Sequence, residues 1–550
     1  MKLKNNSATI SYILLYTFYQ FSLIIKGGTT WDDEQLINTT ERIITKYKIF
    51  VNDPASPFLS EFVSNYEFYG YLVLIPIYLF SRNENLINLF IYILNNFFKL
   101  DINNISEIEY YLRYISLAIY VSIVLIAIYF LYSKIQNSQN AMIFIILLTL
   151  IPSFSGHALF NIKDIPFAMQ STLAIFYFIY LLKNFNLLKI NQILLSGVFF
   201  GFILLVRING VAIIFSCLIF SLIWLYPRKE EIKNILSFWT IASISTLITF
   251  ILGTPSAWQK PKLWLSQAIQ TQFNIVVDSY VLNNGAFSVA SSLPRHYLLK
   301  ILFFKLPIIF HLSIIFIFYI IFKKLYKENL ILTYSIYFTF LVNIGFYVLT
   351  PVSYDGLRQY LFLIPFLCVI LVETYFEMKL NKMIKLALLI TFSTYLIGTQ
   401  YGLSEFKYIY FNEFTDVKNL SIECDQIGGC GDWSTDYWGY SGKSIVNLLE
   451  NNTIGAESIY FCEPSNVFIA FLAKEHVNDI NKLIQKNNEF FIAYVHRPMF
   501  LNNILLDENN ICGRLQNTKN VKCKNFLKYK TTLRREEVTL SYIDKCTVEF

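Results

Sequence analysis

A succession of long apolar runs limits this chain more than any other feature. A helix that crosses a bilayer needs about 20 predominantly apolar residues, and in lipid only a helix or a closed barrel satisfies its own backbone. Runs of that kind lie near 8–25, 112–132, 141–159, 166–182, 191–206, 209–226, 235–252, 301–322, 330–349, 358–372 and 385–400. They predict a polytopic α-helical membrane protein with about 11 spanning helices. Two shorter runs, 66–80 and 87–99, read either as interfacial or re-entrant pieces or as a hairpin of two spans. Charged residues make up only 15% of the 550, below the usual share for a soluble domain.

Lysine and arginine in short loops set the orientation. With the N-terminus cytoplasmic, the inner segments carry Lys2 and Lys4, Lys134, Lys183 and Lys189, Arg228, Lys229 and Lys233, Lys323, Lys324 and Lys327, and Lys379, Lys382 and Lys385. Lys260, Lys262 and Arg295 are outer exceptions. The net charge of +7 is dispersed over loops, which is not the basic stripe of a nucleic-acid binder.

Six of the eight cysteines, Cys424, Cys430, Cys462, Cys512, Cys523 and Cys546, follow the last apolar run. Parity places them outside, where an even count suggests disulfides, although spacing cannot choose the pairs. Residues 401–550 also change character. Short β-like runs at 458–461, 490–495 and 538–542 predict a small extracytoplasmic α/β domain appended to a membrane domain of 1–400. Within the first outer segment, 26–111, residues 34–48 place Leu36, Ile37, Ile43 and Ile44 near one helical stripe, as in a helix lying in the membrane interface.

The chemistry-bearing residues gather on the predicted outer side. Trp31-Asp32-Asp33-Glu34 follows the first run, and mutual repulsion beside a low-dielectric bilayer raises carboxylate pKa values and favours a general base. A solvated acidic turn is the plain alternative. His157, Asn161, Lys163 and Asp164 cluster before Pro166; a helix over 157–164 would bring His157, Asn161 and Asp164 to one face. Arg207 ends one run, and Arg295, His296 and Arg358 lie on further outer loops. Each suits an interface anchor, while together they suit phosphate binding. Walker A, HExxH and Rossmann glycine patterns are absent, and five histidines make a His-rich metal site improbable.

The order Asp33-Glu34, Lys163-Asp164-Ile165-Pro166 and Pro294-Arg295-His296-Tyr297 resembles the GT-C superfamily of membrane glycosyltransferases. The branch is that of protein O-mannosyltransferases and aminoarabinose transferases, and the resemblance covers most of 1–400. It implies a polyprenyl-phosphate sugar donor, a catalytic first-loop Asp at Asp33 and a second Asp at Asp164. The Asp32-Asp33 doublet leaves Asp32 as the alternative base. The expectation is therefore an inverting sugar transfer on the extracytoplasmic face, in a bacterial inner membrane rather than an endoplasmic reticulum. The acceptor is a lipid, glycan or protein, and no nucleic acid takes part. Asp33 would act as base, and Glu34 and Asp164 would orient acceptor or metal. Lys163, His157, Arg207, Arg295, His296 and Arg358 would bind substrate or phosphate. No cofactor is required; a divalent cation on Asp33, Glu34 and Asp164 stays open. The rival readings are a transporter or lipid-linked-sugar flippase, and a scaffold whose outer domain binds a partner. A transporter calls for charges at the midplane and repeated halves, and neither stands out.

Overall fold

A computed structural model describes every residue except 1, 62–66, 68–70, 72, 99–104, 227–231, 274–279, 313–330, 350–355, 421, 423–430, 473–475, 477–478, 480–482, 484–488, 498–520 and 549–550. The protein is largely helical, as its apolar runs require. Among the described residues six helices are long and apolar enough to cross a membrane: Ile105–Ile135, Asp164–Lys183, Ile208–Leu225, Lys233–Leu252, Ile331–Leu349 and Lys382–Thr399. Ser138–Leu150 and Ile190–Val206 are shorter apolar helices. The first expected run is also helical, as α1 (Lys2–Ile24), and it exposes Leu14, Leu15 and Phe18, as a lipid-facing surface would.

Local chemistry explains the departures from the expected spans. The run 141–159 is broken into α6 (Ser138–Leu150) and α7 (Pro152–His157). Pro152 at the first helical position leaves Ile151 extended, because proline lacks an N–H and disfavours helical geometry in the residue before it. The two ambiguous runs form α3 (Leu74–Ser81) and α4 (Glu84–Ile93). Neither has the length of a span, and both pack against α5 (Ile105–Ile135). The run 301–322 begins as α13 (Tyr297–Lys305); its second half lies outside the described residues, as do the basic loops around Arg228 and Lys323.

The interfacial helix exists as α2 (Asp33–Asn52), with Leu36, Ile37, Thr40 and Ile43 buried. Its polar face is less simple than expected. Lys46 is fully buried and donates to Glu67 Oε2 at 2.6 Å, to the Glu61 carbonyl at 2.7 Å and to Ser256 Oγ at 3.1 Å. A buried ammonium needs such partners, and these tie α2 to the 254–257 turn.

The strands β1 (Tyr280–Asn283) and β2 (Ala286–Val289) pair antiparallel in the 253–300 segment, and after residue 400 the chain forms a four-stranded sheet in the order β3-β4-β6-β5. Its strands are β3 (Ile459–Phe461), β4 (Glu489–Val495), β5 (Val521–Leu533) and β6 (Glu536–Val548). β3 runs parallel to β4, and β6 is antiparallel to β4 and β5. Cys523 and Cys546 face each other across β5 and β6 and form a disulfide. Cys462 is also disulfide-bonded, while Cys424, Cys430 and Cys512 fall outside the described residues. Side chains alternate across a strand, so β6 turns Val538 and Leu540 to the main helical core and Ile543 to a second cluster around the helix Gly442–Asn451. Tyr408, Trp438 and Tyr440 belong to the same core as the membrane helices. The C-terminal segment is thereby seated directly on one end of the bundle.

Candidate functional site

At that end the acidic and basic residues from separate loops converge. Asp32 Oδ2 accepts from Lys163 Nζ at 3.1 Å and from Arg358 Nη1 at 3.1 Å. All three side chains are nearly fully buried. Arg358 lies over the Trp438 ring, 4.8 Å from its centroid, a cation–π placement that offsets part of its lost hydration. The three residues come from positions 32, 163 and 358, so the pairing closes the fold across the whole membrane domain. Asp32 is a counter-ion here.

Its neighbour is held differently. Asp33 opens α2, where the helix dipole favours negative charge. Its Oδ2 accepts from Thr29 Oγ1 at 2.8 Å, from the Thr30 N–H at 3.1 Å and from the Tyr114 hydroxyl. Its Oδ1 is buried and has no hydrogen-bond partner among the described residues. Burial pushes the Asp33 carboxyl above the usual carboxylate range, against the opposing charge of Arg113 and the donors of Tyr114, Thr29 and Thr30. One oxygen is thus fixed and the other keeps its lone pairs available. Glu34 is exposed.

The 157–164 segment is not the continuous helix that the sequence suggests. α7 stops at His157, and α8 (Asp164–Lys183) starts at Asp164. Asn161 supplies the reason. Its Oδ1 accepts from the Asp164 N–H at 2.8 Å and the Lys163 N–H at 3.3 Å, a local side-chain bond that competes with helix and caps the next one. Pro166 then sits in the first turn of α8, where no N–H is needed. The three polar side chains still meet. Asn161 Nδ2 donates to Asp164 Oδ2 at 3.0 Å and lies 3.3 Å from His157 Nδ1. Arg207, arriving at the end of α9 (Ile190–Val206), forms an ion pair with Asp164.

The C-terminal segment completes this cluster through Thr435–Ser441. Tyr437 Oη and His157 Nε2 are 2.9 Å apart. The N–H groups of Gly28 and Trp31 donate to the carbonyls of Tyr440 and Trp438, each at 3.2 Å. Gly28 has to be glycine, because an added Cβ would lie 2.5 Å from the Tyr440 carbonyl oxygen. Asp436 anchors the turn from within. Its carboxylate accepts from the N–H groups of Tyr440 and Ser441, both at 2.9 Å, and from the hydroxyls of Ser441 and Tyr408. Even with four donors, burial pushes its pKa up.

Of the residues singled out in the sequence, Asp32, Lys163 and Arg358 form one buried group, His157, Asp164 and Arg207 meet through Asn161 in the group next to it, and Asp33 is buried beside Asp32 in the chain on partners of its own. Arg295 and His296 are exposed just before α13, and among the described residues no hydrogen bond or ion pair joins them to these residues. Among the described residues no group of three or more His, Cys, Asp or Glu side chains is arranged to hold a metal ion. Asp33 and Asp164 accept from protein donors, and Glu34 is exposed. Tyr114 and Lys305 carry no signal in the sequence, and the run Thr435-Asp436-Tyr437-Trp438-Gly439 stands out there without an activity to assign to it. For Tyr437 and Trp438 a signal existed in the dense run Trp433–Tyr440, but only the fold reveals what it faces.

No family model matches the sequence, and no curated protein matches it. Among solved structures, the crystal structure of ArnT from Cupriavidus metallidurans bound to undecaprenyl phosphate is similar over 97% of this chain and 97% of its own, at 9% identity and a TM-score of 0.49. A likeness at that level leaves the functional reading to the site itself.

Proposed function

We propose that this protein is an inverting membrane glycosyltransferase that takes a sugar from a polyprenyl-phosphate donor at the extracytoplasmic face. The observation that carries the reading is Asp33: a buried carboxylate beside the membrane helices, with Oδ2 gripped by three donors and Oδ1 unpartnered among the described residues. Asp33 Oδ1 takes the proton from an acceptor hydroxyl, which is the work of a general base. The hydroxyl oxygen attacks the anomeric carbon from the face opposite the phosphate. The carbon–oxygen bond to phosphate breaks, the phosphate keeps the electron pair, and the anomeric carbon inverts.

The leaving group gains negative charge as that bond breaks, so preorganised cations favour the transition state. Lys163 and Arg358, held together on Asp32 next to Asp33 in the chain, are the candidates. Asp164 and Arg207, with His157 and Asn161, form the adjoining polar wall and orient the acceptor. Asp32 serves as the counter-ion that keeps two cations in place rather than as the base.

Reconstituted protein supplied with a radiolabelled polyprenyl-phosphate sugar tests this. Label should leave the donor and appear in a covalent product, and Asp33→Asn should stop that transfer. Movement of the donor across the bilayer without a covalent product would instead establish the flippase reading. A folded Asp33→Asn protein with full transfer would remove Asp33 from the mechanism.

A further inference from the structure

A cleft of about 560 Å³ opens where the end of α1 meets the helix Gly442–Asn451 and β5, a volume in the range of small-molecule sites. Ser22, Lys26, Glu405, Asn447, Asn451 and Tyr529 line it. Lys26, Asn447 and Asn451 are exposed and Tyr529 is half-buried, so these side chains are open to a ligand. Glu405 is the decisive residue. It is set into the wall, only 7% exposed, and among the described residues its carboxylate makes no hydrogen bond and no ion pair. Burial raises the Tyr529 hydroxyl above its ordinary range, and the Glu405 charge adds to that, which sets the carboxylate near that ring.

A carboxylate buried without a counter-charge is costly, and an arriving ammonium removes that cost. Lys26 is the complement, a cation with no carboxylate of its own among the described residues. Lys443 also reaches the cleft, but Glu107 takes up its charge at 2.9 Å. The cleft thus offers an uncommitted anion and an uncommitted cation that do not pair with each other. Asn447 and Asn451, on one face of their helix, add amide donors and acceptors. The approach from α1 is apolar. Leu15, Phe18, Tyr19 and Ser22 are exposed and share the helical stripe that ends on Lys26. In a bilayer that stripe faces acyl chains, and Lys26 stands where the chain leaves the membrane, just before the 27–31 loop. A soluble zwitterion has no use for such a stripe, whereas a phospholipid lying along it brings its headgroup to the cleft.

We infer that this cleft seats the headgroup of an aminophospholipid of the phosphatidylethanolamine type, with its phosphate on Lys26, its primary ammonium on Glu405 and its acyl chains along α1. A primary ammonium brings N–H donors to the carboxylate, which a choline headgroup lacks, and a glycerol headgroup brings no cation. Occupancy does not require sugar transfer, so this assignment and the proposed reaction fail separately.

Native mass spectrometry of the full-length protein released from detergent reads the occupancy. With dioleoyl phosphatidylethanolamine, phosphatidylcholine and phosphatidylglycerol offered at equal concentration, the first should be retained about tenfold over each of the others, the worth of one charge-assisted hydrogen bond. Glu405→Gln, which keeps the shape, should bring phosphatidylethanolamine down to the level of phosphatidylcholine. Lys26→Gln, an exposed substitution, should weaken its retention by a similar factor. O-Phosphoethanolamine has the charges without the chains, and it should displace the lipid only at a concentration more than about a hundredfold higher, because it lacks the acyl contact. The wild-type comparison of the three lipids needs no variant, so a misfolded Glu405→Gln protein does not rescue the idea. Equal retention of the three lipids overturns it, as does a folded Glu405→Gln protein with unchanged preference. A preference for phosphatidylglycerol overturns it by making the site one for anionic lipid. Displacement by equimolar O-phosphoethanolamine overturns it by making a soluble zwitterion the ligand.

Discussion

Asp32 and Asp33 are chemically identical neighbours with different work to do, and the difference is testable residue by residue. Asp32→Asn leaves Lys163 and Arg358 buried without their shared anion. Breaking a buried pair from one side costs about 3–5 kcal/mol, so this variant should unfold at a markedly lower temperature than the parent. Asp33→Asn keeps the shape and much of the hydrogen bonding. It should lose roughly 10²–10⁴ in transfer rate, the usual worth of a positioned general base, with a far smaller change in melting. Measuring both properties on both variants separates counter-ion from base. The raised Asp33 pKa adds a pH test. The base works ionised, so the acid limb of the rate profile should titrate above the ordinary carboxylate range. For stability the sign is opposite: the folded protein holds this proton more tightly than the unfolded chain. That contribution is present at low pH and is lost as pH rises through the folded-state pKa.

The elements around the site are short, interrupted pieces, and their interruptions place the chemistry. α7 ends so that Asn161 can turn the chain, and α8 then begins on Asp164. The 27–31 loop is locked by two backbone hydrogen bonds to the 438–440 turn. Gly28→Ala drives a methyl group into the Tyr440 carbonyl. It should lower both melting temperature and transfer rate, read by a thermal shift and by labelled product. Asp436→Asn puts an amide donor among four donors. It should cost about 1–3 kcal/mol, as buried unsatisfied groups do. These interruptions also mark how far the sequence could be read. The Asp32, Lys163 and Arg358 loops were assigned to one face from charge and parity alone, because charges near membrane depth need partners. The break at Pro152 and the capping role of Asn161 were not foreseen. An apolar run masked the first, and a helical spacing that brings the same residues together imitated the second. The burial of Lys46 has no signal in the sequence, because its partner Glu67 is distant along the chain and only the fold joins them.

For the whole molecule, the membrane bundle and the C-terminal segment form one continuous core. Lys443 forms an ion pair with Glu107 at 2.9 Å and donates to the Ile25 carbonyl at 3.0 Å, so α1, α5 and the C-terminal helix Gly442–Asn451 share contacts. Deletion of 401–550 should therefore abolish transfer and also destabilise the bundle, which a scaffold with a detachable binding domain would not show. Reduction of the Cys523–Cys546 disulfide removes a constraint worth about 3 kcal/mol for a loop of this length in the chain-entropy view. It should lower the melting temperature of the C-terminal segment before that of the helices. The helical membrane class was legible from hydropathy because lipid forces one solution on such runs. The union of tail and bundle was not, since it depends on aromatic side chains whose partners lie hundreds of residues away.

The lock between 28–31 and 438–440 also sets an order of events. The acidic loop is synthesised long before the carbonyls of Trp438 and Tyr440 that fasten it. Until the ribosome has passed residue 440, Gly28 and Trp31 have nothing to bind and His157 has no tyrosine. A nascent chain stopped before residue 440 can therefore insert its helices but cannot assemble a finished centre, so competence waits for the 438–440 turn.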